Sequence, residues 1–200
     1  VKHFQNPNCH LIFRSLKVEA DDFYNGRSNE DMGYIETSPD INKPDADTSL
    51  EIISKEDLDN RHGKMFGHGE TTLRSTAGNV LVGESVEETK YLYGGIPYPY
   101  YKTNGSFVSS NRDITIEGQN VFLKLAQVKS AEGHLYLVSE NNVRSLASNV
   151  FAKDGITING VRFDQEVFST DYIYSPQTTN STPGNGHLKY VSKSMPQRSD

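Results

Sequence analysis

The sequence predicts an all-β fold: a short-stranded β-helix or an intertwined trimeric β-prism, preceded by an irregular, loop-rich N-terminal part. Three observations carry that expectation. Short apolar-alternating pieces follow one another through residues 107–163. Gly and Asn punctuate them, and both tolerate the positive φ that a tight corner needs. The interval between pieces, roughly six to nine residues, leaves no room for the crossover helices of an alternating α/β sheet.

The pieces can be taken in order. Leu11–Glu19 reads as one strand, and Asp21 to His62 as a long acidic loop region or small subdomain with turn signals in quick succession and a short strand or helix at Leu50–Ile53. Ser54-Lys55-Glu56-Asp57 resembles a helix cap and first turn. Gly69–Ser75 and Asn79–Gly83 read as strands split by Ala77-Gly78. In Tyr91–Tyr101, Pro97, Pro99 and the paired Gly94-Gly95 argue against a central strand, so a tyrosine-rich loop is expected. Ile114–Ile116, Val121–Leu125, Leu135–Val138, Val143–Ser145, Val150–Ala152, Ile156–Ile158 and Val161–Phe163 form the repetitive series. An Asn just before the apolar step recurs at Asn79, Asn120, Asn142 and Asn149. Asn159-Gly160 is the strongest hairpin signal. The expected division is residues 1–106 as an irregular region, 107–168 as a repetitive shaft, and 169–200 as a loop-rich C-terminal segment.

Composition narrows the function classes. The apolar fraction is 34%, against ~45–50% in ordinary soluble domains on a count that includes Gly. That suits an elongated shape, long surface loops, or apolar surface shared among copies in an oligomer. With 11 Tyr and 9 Phe, the chain is too aromatic for a solvated tail. A net charge of -6 argues against a nucleic-acid partner. No run approaches the ~20 apolar residues of a transmembrane helix, and the start does not resemble a signal peptide. A chain that begins at Val1 has lost its initiator Met or is a fragment. Cys9 stands alone, which excludes an internal disulfide and a Cys-rich zinc site.

Candidate chemistry is sparse. His62, His68 and Glu70 are the best metal candidates, in a segment with three glycines, and a solvated loop explains them as well. The acidic stretch from Asp40 to Asp59 lacks the glycine and spacing of a calcium loop. Asp113, Glu117, Glu132, Glu140 and Asp154 fall in or beside turns, where solubility accounts for them. No nucleophile elbow, phosphate loop or dinucleotide fingerprint occurs. No enzyme activity, cofactor or metal is therefore expected. Tyr91, Tyr93, Tyr98, Tyr100 and Tyr101 could stack on sugar rings, face a partner protein, or cover one end of the repeat.

The stretches Asp113–Leu125 and Asn141–Gly160 resemble the trimeric β-helices of phage tail spikes, tail fibres and the central spikes of contractile tails. The chain departs from central spikes in lacking a C-terminal His-x-His pair, since only His187 is found there. The resemblance implies a structural component of a phage tail or related injection apparatus, as spike, fibre or baseplate protein, in the virion or outside the cell. It implies a homotrimer with other tail or baseplate proteins as neighbours. Its axial core would be Ile114, Ile116, Leu123, Leu125, Leu135, Leu137, Ile156 and Ile158. Two other functions stay open: a carbohydrate- or receptor-binding module contacting host surface glycan, and a β-helical polysaccharide depolymerase.

Overall fold

The computed structural model describes residues 1–28, 30–39, 48–83, 87–93, 96–102, 106–146, 148–166 and 188–192, with backbone only at 87–102, 165–166 and 188–192. The described residues are strands and turns, with no helix among them.

The chain winds in coils. The first coil lays β1 (His3–Asn6), β2 (His10–Phe13) and β3 (Leu16–Ala20) in three different sheets. The second lays β4 (Asp22–Asn25), β5 (Gly33–Thr37) and β6 (Ser49–Ser54) beside them. The third lays β7 (Leu58–Asn60), β8 (Gly63–Gly67) and β9 (Glu70–Ser75), and β10 (Val80–Gly83) opens the fourth. A hairpin, β11 (Glu87–Tyr93) and β12 (Ile96–Lys102), then leaves the coil. The chain re-enters at β13 (Phe107–Ser110) and β14 (Ile114–Gly118). Two further coils follow: β15 (Val121–Lys124), β16 (Gln127–Ser130), β17 (His134–Ser139), then β18 (Asn142–Leu146), β19 (Asn149–Ala152), β20 (Gly155–Gly160). β21 (Arg162–Glu166) and β22 (Leu188–Ser192) end the described chain.

Sheet A is β1-β4-β7-β10-β15-β18-β21, sheet B is β2-β5-β8-β13-β16-β19, and sheet C is β3-β6-β9-β14-β17-β20-β22. All pairings in these sheets are parallel. The fold is thus all-β, with stacked parallel sheets and a β-helix-like winding.

The core follows from strand alternation. Every second side chain points inward, and the inward positions line up coil on coil. In sheet C, Val18, Ile52, Leu73, Ile116, Leu137 and Ile158 form one column. In sheet A the column is Phe4, Phe23, Leu58, Val80, Val121, Val143 and Phe163. In sheet B it is Leu11, Ile35, Met65, Val108, Val128 and Val150. These columns meet in one apolar cluster. Because each position is shared between coils, a thin core needs few apolar residues per turn, which accounts for the low apolar fraction.

Buried polar side chains make the corners. Asn6 donates to Asn25 Oδ1 at 2.9 Å, and Asn25 donates to Asn60 Oδ1 at 2.8 Å. This ladder occupies the inward position that Val82 and Leu123 fill in the next two coils. Between sheets C and A, Ser139 Oγ donates to Gln119 O at 2.7 Å. Between sheets B and C, Ser130 Oγ donates to Arg112 O at 2.8 Å. The Ser139 hydroxyl joins the Asn141 N–H, which donates to the same Gln119 O at 2.9 Å, so these turn carbonyls are not buried unpaired.

Several sequence expectations change. Leu11–Glu19 is two strands, because the chain turns a corner at Arg14-Ser15. The stretch expected as an acidic loop region or small subdomain carries β4, β5 and β7 besides β6, which is the strand alternative at Leu50–Ile53. Ser54 ends a strand and its hydroxyl donates to Glu56 O at 2.8 Å, so the cap-like run is a corner and not a helix. Asn159-Gly160 ends β20 and leads into the next sheet, not into a hairpin. The segment Tyr91–Tyr101 is a hairpin and not a loop. Its prolines fit because each strand of a two-stranded ribbon has a free edge, and Pro97 and Pro99, two apart, fall on the same one. The division expected at residue 106 does not separate the sheets, since β8 pairs with β13 and β9 with β14. Residues 169–187 lie outside the described residues.

Candidate functional site

Sheet A and the adjoining corners hold an open groove of about 530 Å³, lined by Asp22, Tyr24, Lys55, Glu56, Asp57, Ala77, Gly78, Asn79 and Gln119. Alternation in β4 places it: Phe23 and Asn25 are buried, so Asp22 and Tyr24 face outward. The opposite wall is the corner before β7 stacked on the corner before β10.

That wall is held by an outer ladder of amides. Asp57 Oδ1 accepts from the Asn79 backbone N–H at 2.8 Å and from Asn79 Nδ2 at 3.0 Å. Asn120 Nδ2 donates to Asn79 Oδ1 at 2.9 Å, and the Asn142 N–H donates to Asn120 Oδ1 at 3.3 Å. The recurrent Asn of the sequence is therefore a stacked element at 79, 120 and 142. Asn149 stands elsewhere, at the corner that opens β19, where its N–H donates to Ala126 O.

The groove is electronegative. Burial raises the Tyr24 phenol above its ordinary value, and the charges of Asp22, Asp59 and Asp57 push in the same direction. Asp59 is committed to Arg61, whose Nε lies 3.0 and 2.9 Å from its two oxygens. The bond to Asp59 in turn raises the Arg61 guanidinium. Asp22 lies 2.8 Å from His3 Nδ1. An aromatic face beside carboxylates and amides suits a ligand with both apolar C–H surface and hydroxyl or amine groups.

The residues singled out in the sequence fall in three places. Ile114, Ile116, Leu135, Leu137, Ile156 and Ile158 are inward on sheet C, and Leu123 is inward on sheet A. Leu125 is not in a strand. It turns the corner after β15 with φ of 50° and is 6% exposed. All of these are buried within the chain itself, so closing the core around them requires no second chain.

The tyrosines lie on the hairpin, with Tyr91 opposite Tyr98, Tyr93 opposite Ile96, Thr89 opposite Tyr100 and Glu88 opposite Tyr101. The hairpin leaves the coil at the corner between sheets A and B, between β10 and β13.

His62 and His68 sit at opposite ends of β8, whose five residues span about 16 Å at ~3.3 Å each. His68 Nδ1 is 3.3 Å from Asn111 Nδ2. Among the described residues, no group of three His, Cys, Asp or Glu side chains is placed to hold a metal ion. Asp40, Asp45 and Asp47 of the acidic stretch lie outside the described residues. Glu117 faces Arg74 at 3.4 Å, Glu132 pairs with Lys153, and Asp113 Oδ1 accepts from the His134 N–H at 2.8 Å.

The groove was missed in the sequence because Asp21-Asp22 and Asn25-Gly26 read as breakers around a strand of only four residues. The alternation Asp22-Phe23-Tyr24-Asn25 was the available signal. No helix of the described residues is long and apolar enough to cross a membrane. No family model, curated protein or solved structure matches the chain.

Proposed function

We propose that this chain is a shaft segment: a β-helix whose work is mechanical and positional, in a phage tail spike, tail fibre or comparable extracellular appendage. The supporting observation is the unbroken register. Sheets A and C each stack seven parallel strands, and the hairpin excursion does not interrupt them. At ~4.8 Å per strand, the stack is about 30 Å long. Such a stack resists bending because each coil is bonded to the next along three separate ladders. Nothing in this reading requires catalysis.

The trimer expected from the resemblance becomes a question about the outer faces, since the inner columns are closed by one chain. Solution molar mass by light scattering at low concentration tests it. A mass near 22.4 kDa supports a self-sufficient coil. A mass of three chains that persists in mild denaturant supports trimeric assembly and would reject the single-chain coil as the folding unit.

A second reading is favoured by the groove. Tyr24 beside Glu56, Asp57, Asn79 and Gln119 could hold a sugar of a host surface polysaccharide, and the tyrosine hairpin could extend that contact. Glycan-array binding lost in Tyr24→Ala but kept in Tyr98→Ala assigns it to the groove, and the reverse assigns it to the hairpin. Release of reducing ends from capsule or O-antigen would convert the reading into a depolymerase.

A further inference from the structure

The three outer faces differ in charge. Outward positions of sheet A include Asp22, Asp59 and Asp164, and those of sheet C include Glu19, Glu51 and Glu117. Among the described residues of sheet B, Glu36 is the only carboxylate, and His10 Nε2 lies 3.3 Å from it. The lysines of sheet B are Lys64 and Lys129, both outward because Met65 and Val128 beside them are buried. Among the described residues no carboxylate pairs with either lysine, whereas Lys17, Arg61, Arg74 and Arg162 on the other sheets are matched. Half-buried rings surround these two cations. Tyr34, Lys64 and Phe107 are successive members of one outward column. Strands two apart are separated by ~10 Å, yet the Tyr34 and Phe107 rings stand edge-on with centroids 6.3 Å apart, so they lean together over the lysine between them. Lys64 Nζ lies 6.0 Å from the Phe107 centroid, within cation–π range. The neighbouring outward column holds Phe66 in β8, then Lys129 and Phe151 in the adjacent strands β16 and β19.

We propose that the outer face of sheet B is a docking surface for an acidic polysaccharide, a polymer of uronate sugars. Charge complementarity names the occupant. On a chain of net charge -6, this face holds lysines that no carboxylate neutralises, set among rings. A uronate supplies both halves of the match: a carboxylate for the ammonium, and a C–H face for the ring. Lys64 and Lys129 stand two strands apart along the axis and one outward step across, about 12 Å between Cα atoms at the usual sheet spacings. A polymer lying along the stack therefore meets both. An acidic peptide fits less well. Peptides dock by adding a strand to a sheet edge or by seating side chains in a groove, and these residues lie on the flat of a sheet paired on both sides. The surface is separate from the Tyr24 groove, whose carboxylates repel the same polymer. At 0.1 M salt the screening length is ~10 Å, so the carboxylates of sheet A, across the core, do not cancel the attraction at sheet B. This inference rests on the charges and rings of one face and not on any assignment to an appendage.

The test measures binding of the full chain, at about 0.1 M salt, to surfaces carrying polygalacturonate, alginate or hyaluronate. Dextran serves as the neutral polymer and poly-L-glutamate as the acidic peptide. The expected result is binding to at least one uronate polymer, at least tenfold tighter than to either control. The double variant Lys64→Glu with Lys129→Glu should lose tenfold or more, while Lys64→Arg with Lys129→Arg stays within threefold of wild type. Both pairs change outward positions, and matching circular dichroism and urea midpoints show that they fold. Phe107→Ala, checked in the same way, should weaken uronate binding and leave the faint binding to poly-L-glutamate unchanged. Tyr24→Ala should leave uronate binding as it is. Absence of binding to all three uronate polymers overturns the proposal. So does poly-L-glutamate bound as tightly as the uronates, since charge alone would then account for the contact. Binding lost in Tyr24→Ala but kept in the double lysine-to-glutamate variant also overturns it, and moves the sugar contact to the groove on sheet A.

Discussion

The first three coils and the last three are built on the same ladders, yet they fill them differently. In the last coils, the second inward position of sheet A is Leu123 and then Ser145, and the first two inward columns of sheet C are Ile and Leu throughout. In the first coils, the same sheet A position is Asn6, Asn25 and Asn60, bonded side chain to side chain. The corners differ as well. Ile116, Leu137 and Ile158 follow at nearly even steps along the chain. Val18, Ile52, Leu73 and Ile116 do not, because corners in that half absorb extra residues. The lesson is that a parallel stack constrains what lies in the ladders and leaves the corners free.

Substitutions at matched positions would separate the two halves. The largest effect is expected for a buried charge in a shared column. Leu137→Asp should cost at least ~3 kcal/mol and abolish the cooperative urea transition, and Ile35→Asp should do the same in the first half. A mutant of either kind that melted like wild type would show that the columns do not carry stability. Next comes the amide ladder. Asn25→Ala leaves Asn6 and Asn60 short of partners and should cost about 2 kcal/mol. The triple change Asn6→Val, Asn25→Leu and Asn60→Val, which copies the later coils, should be less damaging than the single one. If it is worse, the amides do more than fill the column. A smaller effect is expected for the hairpin: replacing residues 84–105 by a short corner should change stability by no more than ~1 kcal/mol, because loop-closure entropy varies slowly with length.

The smallest contrast concerns alkaline pH. Burial raises Tyr24 and Tyr34, and bonds to Glu19 and Glu51 raise Lys17. In the other half the bond to Glu132 raises Lys153. A raised value means that the folded chain holds the proton more tightly. The associated stability is present below the ordinary values, near pH 10, and is lost as pH climbs through the raised ones. Urea midpoints should therefore fall above about pH 10, and Tyr24→Phe with Tyr34→Phe should flatten the fall. An unchanged slope in that double mutant would sink the assignment to these phenols.

What was legible in the sequence follows the same division. Ile114 to Phe163 showed strands, corners and the aliphatic stripe, because even spacing and β-branched residues survive in the one-dimensional pattern. The first half hid behind its own devices. Asn25 looks like a turn former and is an inward column residue. Asp22 and Tyr24 look like loop polarity and are the outer face of a strand. The step of roughly 20 residues per coil was legible only as its thirds, since three short strands fall between one column member and the next. Tyr24's groove needed three coils brought together, and no local signal contains that.

The excursion between β10 and β13 has one more consequence. Val80 still pairs with Val121 across it, in register. A corner of this molecule is therefore a socket: a foreign peptide spliced there would be displayed at a fixed height along the stack. Moving the same peptide to the corner after Leu146 would raise it by whole steps of one strand spacing, a ruler graduated by the backbone itself.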